Sequence, residues 1–401
     1  MQPIKLSIEG DYWDSQIYRG RLYLWDMENV LRVYDWDAII AAISSDPGVR
    51  STLDLAFSRS NYLYGYDFKP LFAQPGVKQS ILGPFEALSR VDLGVTRAQL
   101  LPFMVLGIDN PFNQLPDDTE IYEKSLYGLT RAGLLELAVR PTSKKVFTSI
   151  VPLKLWDGQA IAISAKRRRL AIAALSDGLF EYGFDYAEPE NLSHRHVDAV
   201  NWMYSSIYCT SRDDGFMAAY HWETLQPSDE GFELTRSDAD RPQLRREYDG
   251  IIGGEEIFGA TGMSWGLDDK VYRVTQDGGL DVVAFHQSKL KDNPTEAFNP
   301  LTTLENLIDH REIISAGSTY FGILVEFDRS LIVLGSDSQN VHLYGPVTRW
   351  RVFPRSISYE NHLHVIRDSC IDVLAFFHDW FLDQDEKPAG IHHEYGRKYR
   401  F

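Results

Sequence analysis

The feature of the sequence that most constrains its fold is a short pattern that recurs seven times. Each copy has two apolar runs around a polar turn, as in residues 271–274 and 280–283, which flank Asp277-Gly278. An Asp-Gly pair between alternating apolar segments predicts a tight β-hairpin, because Gly accepts positive φ and Asp tolerates the left-handed region. Internal repetition constrains a fold more firmly than local propensity does. The copies begin at the apolar residues Leu22, Leu126, Leu170, Ile207, Val271, Leu331 and Leu363.

A further strand is predicted before each hairpin. Residues 14–23 align without gaps on residues 118–127, so that Ile17 matches Ile121. Successive side chains of a strand point to opposite faces of a sheet. The alignment therefore predicts that Ile17 and Ile121 are both buried between sheets.

Four-stranded units repeated along a chain predict an all-β fold, a single β-propeller over residues 1–401. Seven blades are expected, with six as the alternative, because the last gap between hairpins is barely long enough for four strands. Residues 4–8 form a strand with no earlier unit to complete. We expect this strand to pair beside residues 370–376 or beside the neighbouring strand and to close the last blade, since open sheet edges favour aggregation.

The repeated architecture resembles the WD40-like propellers over nearly the whole length. Trp-Asp pairs occur at Trp13, Trp25, Trp36 and Trp156. They do not close blades at the position typical of that family, and no Gly-His pair opens a blade. The resemblance implies a propeller with loops on two faces. It implies no particular function, because propellers host many unrelated ones.

Two segments depart from the spacing of the blades. Residues 38–112 are expected to form a mainly helical insertion, because residues 37–43 begin at the N-cap type residue Asp37 and residues 49–57 have helical apolar spacing. The insertion either buttresses a blade edge or projects as a recognition element. Residues 225–256 are strongly charged and are expected to form a surface loop.

The composition narrows the class of protein. The net charge of −17 disfavours a broad nucleic-acid surface, which has to be basic. No apolar run approaches the roughly 20 residues that cross a bilayer, and no apolar stretch at the N-terminus is long enough for a signal peptide. We therefore expect a cytoplasmic protein without a membrane association.

The turns fall into two sets of different charge. The turns inside the hairpins are rich in carboxylates, whereas the turns before them are mildly basic and are dominated by residues 166–169. Asp is common in turns because its side chain hydrogen-bonds to the nearby backbone. A run of charged residues is commonly a solvated surface segment without a binding role. The alternative is that both sets bind a partner. The candidate binding residues are Asp26, Glu28, Asp177, Asp213, Asp214, Asp277, Asp337, Lys166, Arg167, Arg168 and Arg169.

Little in the sequence indicates catalysis. No nucleophile, phosphate-binding or dinucleotide motif appears, and the two His-x-His pairs lack the further ligands of a zinc site, so no metal or cofactor is expected. Glycoside hydrolysis needs convergent carboxylates. Asp14, Glu120 and Asp157, which the repeat places on first strands, are weak candidates for that role. Hydrogen bonding at strand ends is the alternative role for these acids.

The leading hypothesis is a non-enzymatic protein-interaction platform or regulatory subunit. One alternative is a hydrolase of glycans or small molecules that uses the carboxylates above. Another is a nucleic-acid-associated accessory protein that uses residues 166–169 and the basic tail 395–401. A protein partner with a basic patch is expected to bind the insertion together with the acidic turn at Asp26 and Glu28.

Overall fold

Within the residues that the structure describes, the strands form seven sheets, six of four strands and one of five. The computed structural model describes residues 2–64, 69–72, 74–140, 145–185, 188–224, 244–291, 293–305, 313–335 and 340–377. Four-stranded antiparallel sheets that follow one another along the chain are the blades of a β-propeller. The predicted all-β propeller with seven blades is therefore confirmed. The chain divides into two compact units, residues 1–160 with 311–401, and residues 161–310.

The first unit holds blades 1, 2, 6 and 7, numbered in the order of their first strands. In each blade the first strand pairs with the second, the second with the third and the third with the fourth. The strands are Tyr12–Tyr18, Arg21–Asp26, Val30–Asp35 and Met104–Asp109 in blade 1; Asp118–Tyr122, Ser125–Thr130, Gly133–Ala138 and Leu153–Trp156 in blade 2; Ile313–Thr319, Gly322–Phe327, Ser330–Gly335 and Asn340–Tyr344 in blade 6; and Arg349–Val352, His362–Ile366, Cys370–Ala375, Ile4–Glu9 and Leu93–Val95 in blade 7.

The second unit holds blades 3, 4 and 5 and has its own buried apolar clusters. It also contains the short helix Gly254–Phe258 and the 3-10 turns Gln287–Lys289 and Pro294–Ala297. The strands are Ala162–Lys166, Arg169–Ala173, Leu179–Gly183 and Glu190–Ser193 in blade 3; Ala199–Met203, Ser206–Thr210, Phe216–Thr224 and Leu244–Gly253 in blade 4; and Ser264–Leu267, Lys270–Val274, Leu280–Phe285 and Phe298–Leu304 in blade 5.

The prediction that residues 225–256 form a surface loop is wrong for the second half of this segment. Leu244–Gly253 is the fourth strand of blade 4 and pairs with Phe216–Thr224. An outermost strand leaves much of its length in water, so its charged composition is compatible with a strand. Residues 225–243 lie outside the described residues.

The N-terminal strand completes the last blade as predicted. Ile4–Glu9 runs antiparallel to Cys370–Ala375, with Ile4 opposite Ala375 and Glu9 opposite Cys370. Ile4, Leu6 and Ile8 are buried in the core of the first unit. The first described strand and the last one therefore belong to a single sheet.

The insertion after the first hairpin is helical, as expected, but the expected bounds 38–112 are too wide, because Met104–Asp109 is the fourth strand of blade 1. Its first helix starts one residue before Asp37, because the Asp35 side chain accepts a hydrogen bond from Ala38 N at 3.1 Å and caps it. Asp46 caps the second helix by accepting from Gly48 N at 2.8 Å. The helices are Trp36–Ile43, Pro47–Phe57, Asn61–Tyr64, Lys69–Phe72, Pro75–Leu88 and Arg97–Leu100, followed by the 3-10 turn Leu101–Phe103.

The insertion packs onto the blades rather than standing away from them. Phe57, Phe85 and Leu88 share one buried cluster with the closing strand Ile4–Glu9. The short strand Leu93–Val95 pairs in parallel with the outer side of that strand. The insertion thus covers a sheet edge that would otherwise be open, as its buttress alternative requires.

The aligned repeats share their strand register. Ile17 lies opposite Leu22, and Ile121 lies opposite Leu126. The expected burial holds for Ile17, which is 4% exposed. It is wrong for Ile121, which is half-buried because it borders an open cleft.

One repeat copy is displaced by a strand. The sixth predicted hairpin, which begins at Leu331, consists of the third and fourth strands of blade 6, Ser330–Gly335 and Asn340–Tyr344. The other six copies are second and third strands. Asp337 therefore lies between a third and a fourth strand, unlike the other candidate acids of the hairpins, and it falls outside the described residues.

Candidate functional site

The carboxylate of Asp14 is fully buried on the first strand of blade 1. Its two oxygens accept hydrogen bonds from Nε and Nη2 of Arg351, each at 2.7 Å, and Thr119 Oγ1 donates to it at 2.8 Å. Arg351 also forms an ion pair with Asp118. Since these residues come from the first strands of blades 7, 1 and 2, one guanidinium joins three blades.

The electrostatics of these acids follow from burial and from their arginine partners. Burial alone raises the pKa of Asp14, but Arg351 and Arg349 outweigh it and hold the pKa below its usual value. Burial raises the pKa of Glu120, although Arg355 donates to it at 2.8 Å. Each of these carboxylates is thus neutralised by an arginine.

Asp157 does not lie on a first strand. It follows the outermost strand of blade 2, Leu153–Trp156, where its side chain is 87% exposed and pairs with Lys154. The repeat misplaced it because Leu153–Trp156 is the fourth strand of blade 2 and not the first strand of blade 3. The three candidate acids therefore do not converge, and Asp14 is out of reach of a substrate. The geometry does not support a hydrolase built on them.

Asp26 and Glu28 have different surroundings in the turn of blade 1. Asp26 is 5% exposed, accepts from Val30 N at 2.9 Å and forms an ion pair with Arg32. Glu28 is exposed, with a carboxylate oxygen 3.9 Å from Arg32 Nη2. Asp26 therefore stabilises its own turn, and only Glu28 presents a carboxylate to water.

The other candidate acids of the hairpin turns that the structure describes lie in the second unit. Asp277 accepts from Thr275 within its own turn, and burial raises the pKa of the half-buried Asp214. Asp177 and Asp213 are exposed. The structure gives these acids local turn contacts and no common site among the described residues.

The basic residues 166–169 form the turn between the first two strands of blade 3. Arg167 and Arg168 occupy its central positions with φ of 53° and 58°, the backbone of a type I′ hairpin turn. Lys166 Nζ lies 3.5 Å from Asp268, and Arg168 Nη2 lies 3.3 Å from Asp185. These carboxylates offset the repulsion that four adjacent cations would create.

Arg167 and Arg169 line a cleft with residues of blade 4. We name it the arginine–tryptophan cleft, with a volume of about 710 Å³. The Arg167 guanidinium lies over the Trp222 ring, 5.1 Å from its centroid, a favourable cation–π geometry. The lining residues are Arg167, Arg169, Trp202, Trp222, Leu244, Arg245, Arg246 and Glu247.

Glu181 fixes two arginines of this cleft. Its buried carboxylate accepts from Arg169 at 2.5 Å and from Arg246 Nη1 at 2.8 and 2.7 Å. Arg246 also lies 3.3 Å from the centroid of the Tyr220 ring. The sequence indicated residues 166–169 but missed Arg245 and Arg246, because they fall in the segment expected to be a loop.

An apolar groove lies on the first unit, with a volume of about 610 Å³. Ile150 is 61% exposed, Val151 75% and the adjoining Leu153 61%. The strand Met104–Asp109 borders it and is the last of its sheet, with no strand on its far side in the described part of the chain. Sequence reasoning missed this groove because its apolar residues resemble those of buried strands. The lining residues are Val30, Gly107, Ile108, Asp109, Asn110, Pro111, Asn113, Ile150, Val151 and Pro152.

A smaller cleft of about 420 Å³ opens beside the first strands of blades 1, 2 and 7. Tyr18, Ile121 and Tyr122 line it together with the Arg355–Glu120 pair. In the described ranges, no group of three or more His, Cys, Asp or Glu side chains is arranged to hold a metal ion. No helix that the structure describes has both the length and the apolar character of a membrane crossing.

Comparison with known proteins finds similarity in solved structures only. No protein-family model matches the sequence, and no curated protein matches it. The β-propeller domain of Cps50 (Swd1) from Myceliophteria thermophila is similar at 8% identity, over 92% of this chain and 97% of that chain, with a TM-score of 0.49. BamB from Moraxella catarrhalis is similar at 13% identity over 69% and 87% of the chains, with a TM-score of 0.37. The computationally designed protein Ika8 is similar at 8% identity over 94% and 100% of the chains, with a TM-score of 0.44. These similarities carry no conclusion about function.

Proposed function

We propose that the protein is a non-enzymatic protein-interaction platform that binds a partner through the apolar groove. The observation that carries the proposal is the exposure of Ile150, Val151 and Leu153 within four residues of chain. Contiguous apolar side chains in water are typical of protein-interaction sites. The neutralised first-strand carboxylates support the same conclusion, since they provide no acid–base pair.

The occupant that fits this groove is an extended segment of a partner protein. The free edge of Met104–Asp109 presents backbone N–H and C=O groups that an added strand would pair. Ile150 and Val151 then offer apolar contacts to alternate side chains of that strand.

Affinity purification with matched variants tests the proposal. Ile150→Ser with Val151→Ser changes exposed side chains and leaves the core intact. We expect a partner that the native chain retains to be lost from this double variant. It is expected to stay bound to a control with Ile357→Ser and Tyr344→Ser, which changes side chains exposed to 46% and 77% elsewhere in the first unit.

The retained partner is then purified and mixed with the protein for hydrogen exchange. Slower exchange in residues 104–109 supports strand addition at this edge. If no partner depends on Ile150 and Val151, the groove has no such role. Protection of the insertion and of the Glu28 turn instead would assign the contact to the surface expected from the sequence.

A further inference from the structure

The smaller cleft of the first unit, with a volume of about 420 Å³, has the dimensions of a small-molecule site. Such sites measure roughly 300–1,000 Å³ and combine apolar walls with a few polar groups. The lining residues fall within three continuous described stretches, residues 16–19, 120–123 and 351–359. We name this site the tyrosine cleft, after its residues Tyr18 and Tyr122.

The walls of the tyrosine cleft are largely aromatic and aliphatic. Tyr18 and Tyr122 are equivalent residues of the aligned repeats, and each ends the first strand of its blade. The half-buried Phe353 and Ile357, which is 46% exposed, line the cleft from the segment that follows the first strand of blade 7. Aromatic rings offer flat apolar surfaces. The cleft can therefore hold the apolar face of a ring.

The charged side chains of the cleft are matched by charges of opposite sign. Arg351 is held by acids of blades 1 and 2, and Arg355 donates to Glu120 at 2.8 Å. At the rim, Arg19 and Glu123 occupy equivalent positions of the two aligned repeats and carry opposite charges. A charged ligand would have to compete with these groups, because charges at close range interact strongly. The cleft therefore suits an uncharged ligand.

Two acceptor oxygens at the cleft receive no donor from the described residues. Arg355 donates to Oε1 of Glu120, whose Oε2 has no such partner, and the Glu120 side chain is 21% exposed, so that a ligand can reach it. Gln16 donates through Nε2 to Thr119 O at 2.8 Å, and its Oε1 also lacks a described donor. Gln16 is only 5% exposed. An acceptor that is largely removed from water and has no donor is costly, so a ligand with donors would recover free energy here.

We infer that the tyrosine cleft binds a small neutral saccharide. Hydroxyl groups of the sugar donate to Glu120 and Gln16, and the bond to the carboxylate is charge-assisted. The C–H face of the sugar ring packs on a tyrosine ring. A saccharide unites the three properties that the cleft selects, which are zero charge, several donors and an apolar ring face. The site is separate from the apolar groove, and it adds a ligand that the proposed interaction role does not include.

An organic cation fits the tyrosine cleft less well than a saccharide. An ammonium group would pair with Glu120, but Arg355 already donates to one oxygen of that carboxylate. Arg19 and Arg351 line the same cleft. These guanidinium groups would repel a further cation at close range. A hydroxyl group donates to the same oxygen without this repulsion.

Saturation-transfer NMR with the full-length chain tests the inference. The probes are cellobiose, maltose and lactose, and the control ligands are their permethylated forms, in which a methyl ether replaces each hydroxyl donor. We expect at least one of the free disaccharides to bind, and its permethylated form to bind at least 10-fold more weakly in a titration. Glucosamine, a cationic sugar, is expected to bind no more tightly than glucose.

Matched variants connect the binding to the cleft. Glu120→Gln keeps the shape of the side chain but removes the charged acceptor, and it is expected to weaken binding at least 5-fold. Its control Asp157→Asn removes the same charge at a side chain that is 87% exposed, and it is expected to change affinity less than 2-fold. Tyr18→Leu removes a ring but keeps an apolar side chain, and it is expected to weaken binding at least 3-fold. Its control Tyr344→Leu changes a residue that is 77% exposed on blade 6.

Four results would overturn the inference. Absence of binding by all three disaccharides would show that the cleft does not recognise saccharides. Equal binding of the permethylated form would show that the hydroxyl donors are not recognised. Equal effects of the cleft variants and their controls would place the binding elsewhere on the protein. Binding of glucosamine at least 10-fold more tightly than glucose would assign the cleft to organic cations. Loss of the groove-dependent partner, in contrast, leaves these measurements unchanged.

Discussion

At the scale of single residues, the interior of the first unit depends on buried polar groups that have fixed partners. Arg351 joins Asp14 and Asp118, and Ser15 Oγ lies 2.7 Å from His364 Nδ1. Such groups are tolerated in a core because each finds a hydrogen-bonding or charged partner. The loss of one partner therefore costs more than the loss of an exposed ion pair.

Replacing Arg351 by methionine is expected to lower the free energy of unfolding by about 3–5 kcal/mol, because Asp14 would stay buried without its main partner. The control Arg329→Met removes an exposed ion pair with Asp328 and is expected to cost less than about 1 kcal/mol. Urea unfolding at pH 7 measures both. A change below about 1 kcal/mol for Arg351→Met would mean that this guanidinium does not stabilise the three strands.

His362 makes the fold sensitive to acid. Burial lowers its pKa to about 4, although its hydrogen bond to Ala56 O opposes the shift. In the unfolded chain its pKa is about 6.5, so the unfolded state binds a proton first as the pH falls. The stabilisation by neutral His362 is complete above about pH 6.5 and is lost as the pH falls through 4, a change of about 3 kcal/mol.

Urea unfolding between pH 7 and pH 4 tests this dependence. His362→Gln is expected to flatten the fall in stability over this range by about 3 kcal/mol relative to the native chain. His342 is exposed, so His342→Gln serves as the control substitution. If His362→Gln shows the native slope, other groups cause the acid sensitivity.

At the scale of elements, the sequence predicted most of the blades and failed where partners are far apart. Two apolar runs around a turn identify a hairpin locally, and Gly278 has the positive φ that its turn requires, 78°. The sixth copy was displaced because the third strand of blade 6, Ser330–Gly335, is as apolar as a second strand. The arginine–tryptophan cleft could be predicted only in part, since the pairing of Arg246 with Glu181 across 65 residues leaves no local signal.

The closing strand offers a test at this scale. Leu6 is fully buried between the strands that flank it, so Leu6→Ala is expected to cost about 2–5 kcal/mol. Lys5 neighbours it but points its side chain to water near Asp92, so Lys5→Ala is expected to cost less than about 1 kcal/mol. Thermal and urea unfolding report both changes. Similar losses for the two variants would mean that this strand is not the core element described above.

At the scale of the whole molecule, the closing strand joins the two ends of the described chain in one sheet. Deletion of residues 2–9 removes Ile4, Leu6 and Ile8 from the core, which is expected to cost at least about 5 kcal/mol. It also opens the edges of Cys370–Ala375 and Leu93–Val95 to other molecules. We therefore expect a lower Tm and concentration-dependent aggregation.

A synthetic peptide of residues 2–9, added to the truncated protein, serves as the control for this deletion. It is expected to restore part of the lost Tm, because the vacant position accepts a strand. Light scattering during the melt reports aggregation. A truncated protein that melts like the full chain would contradict the role of the closing strand.

The same closing strand has a consequence for folding during synthesis on the ribosome. Its first residues leave the exit tunnel long before their main partner exists, since Glu9 pairs with Cys370. At about 5–20 residues per second, the wait is roughly 20–70 s. During that time the nascent chain carries the apolar strand Ile4–Glu9 without its antiparallel partner strand. Leu93–Val95 is made only seconds later and pairs with Leu6–Ile8 on one side. The insertion can therefore act as an intramolecular chaperone that shields the newly synthesised strand until the last blade emerges from the ribosome.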